Sequence, residues 1–409
     1  MSYLERYDEL RAADPGRAAG AVAEWIAGEW RPFFAELRAA RPVLATPAFT
    51  LVTRFADVTE VLSREQVFTV RLYGTPMEAV LGGPYMLTQD ATPLHWAERG
   101  LTQAVLPAHD IPRVRELAGR YADEALDAAA PAGRIDAVEE LARQVLLRIC
   151  GDYLGVPGPD PATLSEWSRD SMHDIIRNLP RDPNVHATAC AAGAGLRAHV
   201  NELIAERRRA PGEDALSRLI ALAPPASLGF DDLRLTVNAA GLPLGLVENA
   251  AQSIVQIIRH LLGREDGVRE EAVAAAKAGG PFDGYAWEAL RFAPFNPLIF
   301  RFCERDHRLA SGAFIKAGTP VFACTSSAGM DEEAVAAPEE FRIDRPGFVR
   351  LQFGYGAHEC VGKHVGVAVI PEVVRRVLRR PGVALPPGAA IEFDGGPFPR
   401  RFPLTLGAS

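Results

Sequence analysis

Five cysteines stand at positions 150, 190, 303, 324 and 360, and only the last lies in a setting built for chemistry. It belongs to the run FGYGAHECVG, residues 353–362. A cysteine sulfur binds a metal as its thiolate, so its charge needs nearby donors and its chain must approach closely whatever carries the metal. Gly354 and Gly356 permit backbone angles closed to residues with a Cβ, and so let amide N–H groups turn toward the sulfur. Gly362 opens the next helical run, GKHVGVAVI, whose N-terminus favours a negative charge beside it. The chemistry on offer is a thiolate ligand held against a flat macrocycle.

With every fixed position of Phe-Gly-x-Gly-x-His-x-Cys-x-Gly filled, this run resembles the haem-binding signature of the cytochrome P-450 family. The resemblance implies haem b, with Cys360 as the axial ligand to iron, Phe353 packed beside the thiolate, His358 reaching a propionate, and Gly354, Gly356 and Gly362 shaping the loop. Upstream, WEALRF at 287–292 places Glu288 and Arg291 on one helix face. With Pro294 and Arg301 following, it resembles the family's Glu-x-x-Arg helix. FRIDRP at 341–346 then supplies Arg345 as the third member of a buried structural cluster that braces the cysteine loop. The run DATPLHWAER at 90–99 resembles the helix that grips the propionates, through His95 and Arg99, with Arg301 as a further propionate arginine. Matching residues span roughly 40 to 405, in the family's order.

Two stretches depart from the family pattern. The long central helix of the family carries an acid and an alcohol over the distal face of iron, but NAAGLPLGLVENAAQS at 238–253 has no threonine. With Gly245 at the family's glycine, Glu248 takes the alcohol's place and Asn249 stands beside it. Helical spacing then lines up 241, 245, 248 and 252 as one stripe. On that reading Gly245, Glu248 and Asn249 are the distal residues, Glu248 relaying protons or binding a cationic substrate group, or, on the plainer reading, being a helix-surface glutamate or one paired with an arginine. Pro243 removes a backbone N–H and is expected to kink the helix. The second departure is AGMD at 328–331, where the family usually has an arginine before the aspartate.

The elements that must position these residues are mostly helical. ERGLTQAVL, VRELAGRYADEALDAAA, VEELARQVLLRICGDYLG and GLRAHVNELIAERRR each repeat apolar residues at three- and four-residue spacing. Strand-like text is confined to about 40–55, 300–325 and 385–407, leaving a helical body over about 56–295 and 362–380. The expected class is mainly α with a smaller β region, read as a single domain, 1–409, with strands from both ends pairing. The resemblance makes this an α-rich triangular prism with haem between the distal central helix and the proximal cysteine loop.

A net charge of −8 disfavours a nucleic-acid role, and the cluster Arg207-Arg208-Arg209 reads as a solvated helix end. The odd, scattered cysteines without a Cys-x-x-Cys pair exclude a disulfide framework and a zinc site. A charged N-terminus and the absence of a run of about 18 apolar residues point to a soluble, cytoplasmic protein without membrane association. The expected activity is that of a haem-thiolate monooxygenase. It would oxidise a small or medium apolar metabolite as a monomer, with electrons from a ferredoxin or flavodoxin-like donor docked near Arg350 and Lys363. Tyr73, Phe295, Leu298 and Phe398 are the substrate contacts expected by position. The missing acid–alcohol pair keeps open a peroxide-using, coupling or rearranging enzyme, and a non-catalytic haem sensor or carrier.

Overall fold

A computed structural model describes residues 1–178, 181–393 and 396–407. The chain divides into two compact units, each assembled from distant segments: Met1–Tyr73 with Asn296–Cys360, and Gly74–Phe295 with Val361–Ser409.

The first unit is built on a five-stranded sheet. Its strand order is Val43–Ala45, Thr50–Val52, Thr319–Ala323, Ile299–Cys303, Phe68–Thr69. Thr46 closes the first hairpin, its hydroxyl donating to the Phe49 carbonyl at 2.7 Å. Thr50–Val52 then runs parallel to Thr319–Ala323, which pairs antiparallel with Ile299–Cys303. Successive side chains point to opposite faces, and both faces are covered. Val52, Val321, Ala323 and Cys303 join one core with Val58, Val61, Leu62 and Phe68. Leu51 and Cys324 join the other, against Tyr7, Trp25, Phe33, Phe34 and Leu37. That second core is roofed by three helices, Tyr3–Ala13, Pro15–Gly28 and Trp30–Ala40, which lie outside the expected helical body. The first is opened by a reciprocal Ser2–Glu5 capping box, and the second by Asp14 with proline at its first position.

The second unit is helical. At its centre is Asp232–Leu262, 31 residues long, capped by Asp231 and buried along most of its circumference. Apolar side chains all round are what a helix enclosed by others requires. Arg143–Ile149, Pro161–Met172, Pro183–Arg209, Asp283–Phe292 and Lys363–Arg379 pack against it. The helix continues through Pro243 without a break. The tail strand Pro403–Thr405 pairs antiparallel with Arg134–Asp136, so it joins the middle of the chain. Those three residues lie inside the stretch that periodicity assigns to helix, and they are too few to show an alternation of their own. No described helix is long and apolar enough to cross a membrane.

Candidate active site

The cysteine loop is closed by its own backbone. Leu351–Phe353 and Gly356–His358 form tight turns, and the Gly354 and Glu359 amides donate to Leu351 and Gly356 carbonyls at 3.0 Å each. The Cys360 amide donates to the Phe353 carbonyl at 2.7 Å, joining the two ends of the loop. Gly354 and Gly356 both have φ of +74°, in the left-handed region. At Gly356 a Cβ would lie 2.6 Å from the Leu62 carbonyl oxygen, so the residue has neither the angle nor the space for a side chain.

Cys360 is the one exposed cysteine; Cys150, Cys303 and Cys324 are buried and Cys190 is half-buried. Burial pushes the Cys150, Cys303 and Cys324 thiols up, which keeps them protonated and inert.

Several expected residues lie in the same unit as Cys360. His358 is buried at the end of its turn, and Phe353 is half-buried. Arg301, on the strand Ile299–Cys303, is 2% exposed. Its Nη1 donates to the Phe300 carbonyl at 2.8 Å and to the Tyr73 hydroxyl at 3.5 Å, while its buried Nε meets no hydrogen-bond acceptor among the described residues. Arg345 clamps three carbonyls, those of Ala336, Ala337 and Glu340, at 2.6–2.7 Å. Asp331, after the departed AGM, accepts from the Phe55 amide at 2.7 Å.

In the second unit, Glu288 and Arg291 form the expected buried fork, with Nε–Oε2 at 2.9 Å and Nη2–Oε1 at 2.5 Å. Gly362 caps the helix Lys363–Arg379. His95 and Arg99 sit one turn apart on Pro93–Val105, and both are buried. The His95 Nδ1 lies 2.7 Å from the Met86 carbonyl, so Nδ1–H donates there and orients the ring. Between them Glu98 is ion-paired with Arg234. Burial pushes the Glu98 carboxyl up, against the opposing pull of Arg234.

The central helix corrects the expected stripe. A Cβ on Gly241 would lie 2.5 Å from the Tyr85 ring, so that glycine is a packing site. Gly245, by contrast, is exposed with nothing within 4 Å of a notional Cβ. Leu246 and Asn249 are half-buried beside it, and the Asn249 Nδ2 donates to the Gly245 carbonyl at 3.0 Å.

Glu248 lies on the opposite flank and is fully buried. Its oxygens accept from Arg143 Nε at 3.1 Å and Nη2 at 2.7 Å, so of the readings open to it Glu248 takes the arginine-paired one. Burial works against the Arg143 charge, but Glu248 outweighs it and raises the guanidinium above its ordinary range. Arg143 continues to the Pro399 carbonyl at 2.9 Å and to Glu139 at 2.5 Å. Glu139 borders a surface groove with Glu140, Arg169 and Arg400. Three residues along a helix is 300°, whereas four is 400°, so Asn249 lies nearer the Gly245 face than Glu248 does. Sequence spacing alone accepts either neighbour.

Of the four expected substrate contacts, Tyr73 and Phe295 are half-buried. Leu298 is 6% exposed within the core that holds Leu37 and Leu51, and Phe398 is 1% exposed, which makes both packing residues. Sequence reasoning missed Arg143, whose one local signal is an ordinary i, i+4 pair with Glu139, and Arg177, which donates to the Phe295 carbonyl at 3.3 Å.

The donor set fits haem b as the resident group. The loop offers an exposed cysteine, and Arg301 is a buried cation with a shielded, unsatisfied Nε suited to an anion. The cytochrome P450 family profile matches residues 283–393, a span that holds the Glu288–Arg291 fork, Arg301, Arg345 and Cys360. Nocardicin C N-oxygenase of Nocardia uniformis subsp. tsuyamanensis is 28% identical over 386 residues, covering 88% of this chain and 91% of that protein. Cytochrome P450 monooxygenase PikC of Streptomyces venezuelae is 29% identical over 388 residues, covering 91% and 89%. The crystal structure of CalO2 superposes with a TM-score of 0.81 at 22% identity, covering 94% of this chain and 97% of that one. The likeness runs through most of both chains, and the profile match falls on the cysteine loop itself: the chain is similar along most of its length to the haem-thiolate monooxygenases of the cytochrome P450 family.

Proposed function

We propose that Cys360 is the axial ligand to haem iron, that His95, Arg99, Arg301 and His358 hold the propionates, and that the enzyme inserts oxygen into a small or medium, largely apolar organic metabolite. The observation that carries this is the exposure of Cys360 on a loop whose two glycines and closing 2.7 Å hydrogen bond fix it in place. Such a loop spends conformational freedom to present one sulfur. Haem, when bound, supplies the two-electron activation of dioxygen from which one oxygen atom passes to substrate.

The residues of the chain do the rest. Arg and His side chains held in buried positions suit propionate carboxylates through charge-assisted hydrogen bonds. Gly245 leaves ligand space on the central helix. Asn249, fixed by its bond to the Gly245 carbonyl, keeps a carbonyl oxygen for holding a proton-bearing water or substrate group. Arg143 fixes Glu248, and through it the rotation of the central helix that carries Glu248 and Asn249. The relatives, an N-oxygenase and a monooxygenase, support the same reading. The electron donor is proposed to be a separate ferredoxin or flavodoxin-like protein, met at Arg350 and Lys363. One observation favours a second reading as a peroxide-using enzyme: the open stretch of the central helix, Gly245, Leu246 and Asn249, carries no alcohol.

The test is spectroscopic. Reduced under carbon monoxide, the protein is expected to show the strongly red-shifted Soret band of a thiolate-bound ferrous carbonyl, and Cys360→Ser is expected to lose it. A variant that kept both the band and turnover would refute the assignment.

A further inference from the structure

Three of the buried arginines in this molecule are matched to carboxylates. Arg143 has Glu248, Arg234 has Glu98 and Arg291 has Glu288. Arg177 is half-buried and has no such match among the described residues. It ends the wide turn His173–Arg177, which follows the helix Pro161–Met172. Its guanidinium makes one hydrogen bond among the described residues, a long one from Nη2 to the Phe295 carbonyl at 3.3 Å, and its Nε is buried with none.

No carboxylate lies within ion-pair distance of Arg177 among the described residues. The nearest acid along the chain, Asp174, is already used: it accepts from Asn178 Nδ2 at 2.7 Å and lies 2.6 Å from His186 Nδ1. Burial therefore acts alone on Arg177 and lowers it from the ordinary arginine range, although it stays charged at neutral pH. A partly desolvated cation without an anion is costly, and natural proteins keep one where a ligand completes it.

The surroundings say what kind of ligand. Phe295, which receives the one hydrogen bond, lies in the apolar run APFNPLIF at 293–300. The helix that leads into the turn, Pro161–Met172, packs on the central helix that carries the open Gly245 and the half-buried Asn249. A planar guanidinium with unused donors recognises a carboxylate by a forked, charge-assisted pair. An apolar neighbourhood rejects a ligand that is charged throughout.

We propose that Arg177 anchors the substrate, and that the substrates of this enzyme are carboxylic acids: an apolar body to be oxidised and a carboxylate held by Arg177. This rests on the monooxygenase reading above and narrows its substrate class. It also gives a role to an arginine that makes one long hydrogen bond among the described residues.

The test uses the holoenzyme and matched pairs of probes, n-alkanoic acids of eight to sixteen carbons and phenylalkanoic acids, each with its methyl ester. Binding is followed both by the iron spin-state change and by calorimetry. The acids are expected to bind about ten- to a hundredfold more tightly than their esters, and Arg177→Gln to erase that preference. Arg177→Lys is expected to retain part of it. Acids that bind no better than esters across the panel, or a preference that survives in Arg177→Gln, would overturn the proposal. The ferrous carbonyl band is recorded for every variant. Its absence from the wild type would refute the haem-thiolate reading instead, while its retention in Arg177→Gln shows an intact fold.

Discussion

Glu248 and Asn249 are neighbours in sequence with opposite fates. The peptide bond between them turns one side chain into a sealed ion pair and the other toward open space. Arg143 makes the difference, since a buried carboxylate needs a partner and its guanidinium satisfies both oxygens. Arg143→Met is therefore expected to destabilise the fold by about 3–5 kcal/mol, because Glu248 is left charged and buried. Glu248→Leu in the same background should recover much of that loss. Urea unfolding of the two single variants and the double variant measures it, and simple additivity would show that the pair is not coupled.

Among the elements, caps decide where helices begin, and one of them ties the fold to pH. Asp214 caps Ala215–Ala221 by accepting from the Ser217 amide at 2.7 Å, and also accepts from Arg207 Nε at 2.8 Å. Burial pushes its carboxyl up, but the Ser217 amide and Arg207 prevail and hold it below the ordinary 3.8. A depressed carboxyl stabilises the fold above its unfolded value, and that contribution is lost as pH falls through the lower folded value. Asp214→Ala is thus expected to cost about 1–2 kcal/mol at neutral pH. The gap from wild type should close as pH drops below 3.8, which unfolding curves at several pH values would reveal. A gap that stayed constant with pH would assign the loss to packing alone. The same level of structure contains Arg134–Asp136, a strand too short to announce itself, which exists because Pro403–Thr405 returns to pair with it.

Across the whole molecule, the sequence has no flavin or iron–sulfur signature, and the net charge is −8. An acidic donor would be repelled overall, so local basic residues must guide it. Lys363 is exposed at the start of its helix. Lys363→Glu is expected to raise the KM for an acidic ferredoxin about tenfold while leaving turnover driven by added peroxide unchanged. Equal losses in both assays would place the effect in the catalytic machinery. The same pair of assays on the wild type separates the two readings of the open helix face, since a peroxide-using enzyme turns over without the donor.

The cysteine loop was legible from sequence because its chemistry is local. Two residues at positive φ, a sulfur and a helix start all fall within ten positions, and short-range sterics dictate their arrangement. The Glu288–Arg291 fork was readable for the same reason, being an i, i+3 pair. Long-range partners are different. Whether Glu248 or Asn249 faces the open side depends on Arg143, more than a hundred residues away in the chain. That Leu298 and Phe398 are core, and that Arg177 meets no acid among the described residues, depend on how distant segments pack. Helical period fixes which residues share a face, but only the packed neighbours determine which face is buried, paired or left for a ligand.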